Sequence, residues 1–309
     1  MAGNNDPTMD SNMYRPPAPR QMAATQNSDD ALRLLVVQRL LYSRAKRYLT
    51  ARLSGMFLIA TAAPIVGGIK PNLAVVCGAI AGAWLFAGRT YLTSAQSRDI
   101  DRAAAVQEEF DTQVFGMPQM PSRENAPSLE DVERLAGPKS EVKQQARLEK
   151  VRDWYPLEAE TNPVVAVAIC QRANFSYSDA LLRQTARAWR YGAVCWAAIA
   201  IILCLTLSAS FETVLLIVVL PLLPAFLDLL DFLRAYESAS HIRQTTAQEI
   251  EQAVRSPKPI DPSQLLVWQE RTYELRRATP LVPDLIYNMA RRSNERAMRS
   301  AAKKLAKEG

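Results

Sequence analysis

Histidine is almost missing from this chain: His241 is the single one in 309 residues. Cysteine is scarce too, and Cys77, Cys170, Cys195 and Cys204 never fall in a Cys-x-x-Cys spacing. These absences exclude a zinc site of the ordinary Cys/His kind. They also leave the cysteines as reduced packing residues, in keeping with cytoplasmic exposure of the polar parts. The 11 glycines form no phosphate-cradling loop, and there is no His-Glu-x-x-His and no nucleophile elbow. Glu108 and Glu109 are adjacent carboxylates that read as a solvated helix face. Strand-like alternation is absent as well. The expectation is an all-helical protein without catalytic constellation, metal or cofactor, and not an enzyme.

Long hydrophobic runs, by contrast, are abundant. Residues 191–230 are apolar except for Glu212 in the middle and Asp228 near the end. A helix of about 20 apolar residues crosses the roughly 30 Å of bilayer hydrocarbon, so two spans fit here around a short turn at 209–212. A second such pattern covers 53–69 and 73–86, broken at Lys70-Pro71-Asn72, where Pro71 removes a backbone donor. The chain therefore reads as an all-α membrane protein with four spans in two hairpins.

The remaining segments divide around the hairpins. Residues 1–27 are polar, without apolar periodicity, and read as a disordered tail. Residues 28–52 form a capped helix whose Leu32, Leu35, Val36, Leu40 and Leu41 share a stripe. That stripe suits either anionic headgroups or packing on the protein's own polar domain. Hairpin one spans 53–88 and hairpin two 191–230. Between them, 89–190 is a central helical region with a proline-rich linker and Ser178-Asp179 as a helix cap. Residues 231–309 form a C-terminal helical region, and the capped, arginine-bearing segments before each hairpin suggest a duplicated unit.

Orientation follows from the flanks. Arg44, Lys46, Arg47, Arg52, Arg89, Arg98 and Arg102 border the first hairpin, and Arg183, Arg187, Arg190, Arg234 and Arg243 the second. The tips carry only Lys70 and Glu212. The positive-inside rule puts both termini and the central region in the cytoplasm.

Within the spans, Ala74, Gly78 and Gly82 make a small-xxx-small face that closes the hairpin or serves a homo-oligomer. Pro221 and Pro224 remove hydrogen bonds inside the fourth span, making a kink and a candidate gate. Asp228 sits where an inserted charge costs about 2.5–3.5 kcal/mol. It faces a partner arginine, a water-filled opening or the interface.

Two further motifs carry a resemblance. Asp153-Trp154-Tyr155-Pro156 lies between the hairpins, and Leu281-Val282-Pro283-Asp284 precedes Tyr287 and a basic helix with Arg291, Arg292, Glu295 and Met298. In this order around two hairpins, the chain resembles the SMODS-associated four-transmembrane effectors of bacteria from about Ser28 to the C-terminus. The resemblance implies an effector encoded beside a nucleotidyltransferase that makes cyclic oligonucleotides in anti-phage signalling. It further implies disruption of the inner membrane once that signal arrives. DNA is not among the implied partners, and the family supplies no settled catalytic or ligand residues.

A cyclic oligonucleotide needs cations for its phosphates and aromatic faces for its bases. Arg152, Trp154, Tyr155, Arg172 and Arg183 form one candidate group, and Tyr287, Arg291 and Arg292 another. The alternative is that Trp154, Tyr155 and Pro156 pack the central region and the arginines serve topology.

Overall fold

The computed structural model describes residues 14–118, 123, 125–206 and 220–308, and some arm residues by backbone alone. All regular structure among them is helical: α1 (Pro19–Thr25), α2 (Asp29–Ile69), α3 (Ala74–Ala87), α4 (Thr93–Phe115), α5 (Leu129–Ala136), α6 (Lys139–Leu148), α7 (Pro163–Thr206), α8 (Leu220–Arg255), α9 (Pro262–Ala278) and α10 (Asp284–Glu308).

Local chemistry sets many of these bounds. The Ser28 hydroxyl accepts from the Ala31 amide and opens α2, and Ser128 does the same for α5 through Asp131. A tight turn at Pro71–Leu73 reverses the chain after α2, as the proline predicts. Helix α3 runs on through a π-type turn at Gly88–Leu92 into α4, which stops at Gly116 in the left-handed region, φ 62°. Prolines separate α8 from α9 and α9 from α10.

The result is two long antiparallel hairpins, α2 against α3–α4 and α7 against α8. Each rod is two-faced along its length. At one end the hairpins pack with α1, α5, α6, α9 and α10 into a helical base whose core includes Leu32, Leu35, Phe110, Phe115, Ile250 and Leu265. At the other end they project as arms with apolar side chains outward. On the first hairpin Leu35 is fully buried, whereas Val75 is 82% exposed. Phe57, Leu58 and Ile65 are exposed on the first arm, and Tyr191, Val194, Ile199 and Ile201 on the second. Large exposed apolar surfaces of this kind mark contact with another apolar phase.

Among the described residues one continuous helical run, Val75–Phe115, is long and apolar enough to cross a membrane. The tip of the second hairpin, with Glu212, lies outside the described residues.

The stripe on residues 28–52 is resolved in favour of packing, since Leu32, Leu35, Val36 and Leu41 are all buried in the base. Three expectations change. Residues 14–27 are ordered where a disordered tail was expected: the Tyr14 hydroxyl donates to the Phe115 carbonyl at 2.8 Å and Met22 is buried. Ser178-Asp179 is no cap, because α7 runs unbroken through it and buried Asp179 accepts from the Ser240 hydroxyl at 2.6 Å. Glu108 is not solvated but 3% exposed, on the face of α4 covered by α9.

The first arm closes through a different contact from the small-residue stripe. Gly55 on α2 lies where any Cβ would overlap the Trp84 indole. A Cβ on Gly78 or Gly82 would meet nothing within 4 Å, so these two do not close the hairpin. The side chain of Ala74 is outside the described ones.

At the roots of the arms the hairpins touch. Arg89 bonds Asp228 across them at 2.5 Å, with Asp228 only 16% exposed, so this carboxylate faces a partner arginine. Arg52 stands over the Phe232 ring at 5.2 Å. The helical backbone continues through Pro221 and Pro224, whose side chains lie outside the described ones.

Candidate functional site

The segment between α9 and α10, Pro280–Pro283, threads between the hairpins just inside their roots. Leu281 packs with Ala45, Leu49 and Ile100 of the first hairpin. Its neighbour Val282 packs with Leu182, Ala186, Tyr236 and Ala239 of the second. The Tyr236 hydroxyl donates to the Leu281 carbonyl at 2.7 Å and pins the strap.

Above this strap is a cavity of about 490 Å³, within the size range of small-ligand sites. The first hairpin contributes Gln38, Arg39, Tyr42 and Lys46, and the second contributes Asn174, Phe175, Tyr177 and Arg243. Thr272 and Arg276 come from α9, Tyr287 and Arg291 from α10, and Trp154 from the turn after α6.

The Asp153–Pro156 turn sorts its two aromatic residues to opposite destinations. Asp153 has φ 51°, and Asn27 holds it through a side-chain bond of 2.9 Å and a backbone bond of 3.2 Å. Gln26 accepts from the Tyr155 amide at 2.8 Å. Trp154 then faces the cavity beneath Arg39, whose guanidinium lies 5.7 Å from the ring centre. Tyr155 turns inward, 2% exposed, between Phe110 and Phe115. Its hydroxyl donates to Asp111 at 2.5 Å and accepts from Asn174 at 3.0 Å.

Asp111 organises a buried network behind the cavity. It also accepts from Gln269 at 2.9 Å and Arg276 at 2.7 Å. Gln269 in turn donates to Glu108 at 2.9 Å. Burial, and next the Asp111 charge, push the Glu108 carboxyl up to about 7, outweighing nearby Arg276 and Arg123.

The sequence-predicted ligand residues are dispersed by the fold. Trp154, Tyr287 and Arg291 share the cavity wall. Tyr155 belongs to the core. Arg172 is bonded to Glu251 at 2.7 Å, Arg183 to Asp179 at 2.7 Å, and Arg152 and Arg292 are exposed. Arg291 is largely committed: it bonds Glu295 at 2.7 Å and donates to the Glu149 and Lys150 carbonyls at 3.1 Å each. Sequence reasoning passed over Arg39 as a ligand group and took Arg243 only as a topology marker. Both line the cavity.

Exposed apolar arms rooted in a charged helical base, with a partly open cavity near the roots, are the architecture of a membrane protein with an extramembrane helical domain. The family model described as the SMODS-associating 4TM effector domain matches residues 20–305, and the chain belongs to that family. No curated protein and no solved structure matches the chain.

Proposed function

We propose that this protein is an effector that permeabilises the bacterial inner membrane when a cyclic oligonucleotide, made by a partner nucleotidyltransferase during phage infection, reaches its base. Four spans in two hairpins carry it in the bilayer, with both termini and the base in the cytoplasm. Homo-oligomers present the exposed Gly78/Gly82 face to one another. No catalysis is assigned to it. Membership of a SMODS-associating effector family supports the link to a partner nucleotidyltransferase.

The observation that carries this reading is the reversal of burial along each rod: the same helices bury their apolar side chains in the base and expose them on the arms. The cavity lies where both rods leave the base, so an occupant touches both hairpins at once. Trp154 and Tyr287 offer faces for bases, and arginines offer charge for phosphates.

Dye release from liposomes holding the purified chain tests it, with a panel of cyclic oligonucleotides added to the side where the base lies. Release with one nucleotide and not with others is the expected result. Sealed liposomes throughout, with insertion verified, would leave a membrane-anchored sensor or scaffold.

A further inference from the structure

Most cations on the cavity wall already have a carboxylate. Lys46 bonds Asp284 at 2.5 Å, Arg276 bonds Asp111 and Arg291 bonds Glu295. The remaining acid on the wall, Glu149, is exposed. Arg39 and Arg243 are different: among the described residues neither has a carboxylate oxygen within 4 Å.

Arg243 is 5% exposed and donates only to neutral carbonyls, Leu275 at 2.8 Å and Ala239 at 3.3 Å. Arg39 donates to the Tyr287 hydroxyl at 2.6 Å, stands over the Tyr287 and Trp154 rings, and keeps a buried Nε without a partner. A charge withdrawn from water without a counter-charge destabilises the fold that holds it. Burial, and next the Arg276 charge, push the Arg243 guanidinium down to about 10.

We propose that the cavity is an anion site whose missing counter-charge is supplied by ligand phosphate, held between Arg39 of the first hairpin and Arg243 of the second, with a base stacked on Trp154 or Tyr287. The inference deepens the effector reading and rests on it for the choice of a nucleotide over other phosphates. The two arginines come from different hairpins, so the ligand adds a bridge between rods that already meet in the base core, at the strap and at the Arg89–Asp228 and Arg52–Phe232 contacts. It also replaces like-charged lining by a neutral, bridged one.

The test uses the full chain in detergent, with cyclic di-adenylate, cyclic di-guanylate and cyclic tri-adenylate as probes and dihexanoyl phosphatidylglycerol as the lipid-headgroup arm. Binding is measured by calorimetry, and ligand stabilisation by the shift in melting midpoint. At least one nucleotide should bind and raise the midpoint. Arg243→Gln and Arg39→Gln should each weaken it roughly tenfold or more, and Arg243→Lys should recover part of the loss. Without ligand, Arg243→Gln should melt no lower than the parent, because it removes an unmatched buried charge. A purely structural arginine would instead lower the midpoint.

The proposal is overturned if none of the three nucleotides binds, if Arg243→Gln binds as tightly as the parent, or if the lipid alone binds through Arg243. Nucleotide binding through Arg243 without dye release would refute the effector reading and leave the site standing. Nucleotide-dependent release that persists unchanged in Arg243→Gln would refute the site and leave the effector.

Discussion

Two polar regions of the base meet at Arg276, and their charges are balanced differently. Behind Arg276, Asp111 accepts from Tyr155, Gln269 and Arg276 and is fully buried. In front of it, Arg39 and Arg243 donate to neutral oxygens and find no carboxylate among the described residues. A buried charge is tolerable when its partners are supplied by the fold, and costly when they are not. The first region holds α4, α7 and α9 together. The second leaves its charges without a carboxylate partner among the described residues, and it is this contrast that the proposed anion site rests on.

Breaking the balanced region should have the largest effect. Asp111→Ala takes from buried Arg276 its nearer carboxylate, leaving only Glu108 at 3.8 Å, and leaves the Tyr155 hydroxyl without its acceptor. It should destabilise the protein by about 3–5 kcal/mol, read as a lowered melting midpoint in detergent. Glu108 sharpens the contrast, because it is the imperfectly balanced member of that region. Its folded-state value of about 7 stands above the ordinary 4.5. The protonated form is therefore favoured in the fold, and its stabilisation is complete below 4.5 and lost as pH rises through about 7. Glu108→Gln should remove this loss, raising stability at alkaline pH relative to the parent by up to about 3 kcal/mol. Melting curves across that pH window check it. The smallest effect belongs to charges in neither region: Arg152→Ala and Arg292→Ala, both at exposed positions, should change stability by no more than about 0.5 kcal/mol and leave nucleotide binding intact.

Much of the fold was legible along the chain because its signals are local. Ser28 and Ser128 announce helix starts through their own next turn, Pro71 announces the arm's reversal, and long apolar runs announce the arms. What the base does with its charges was not legible. Glu108 and Glu109 look alike in sequence, and only Gln269 and Arg276, about 160 residues further on, make Glu108 a buried group. Arg39 and Arg243 carry the same local pattern as arginines that merely mark membrane sidedness, and only packing separates them. Ser178-Asp179 resembled a cap because the Asp179 partner, Ser240, comes from the other rod. Trp154 and Tyr287 were found as aromatic faces, but no local signal sends Trp154 to the cavity and Tyr155 to the core. Their fates follow from Asn27 and Gln26, in a segment whose composition resembles a tail.

The strap at Pro280–Pro283 turns the spacing of the two rods into a measured quantity. Leu281 is seated in one hairpin and Val282 in the other, on adjacent residues whose reach is fixed by covalent geometry. Full burial of an aliphatic side chain is worth about 1.5–3 kcal/mol, which Leu281 approaches and half-buried Val282 reaches only in part. The pair works as a caliper set to one gap, and a change of a few ångströms unseats one jaw.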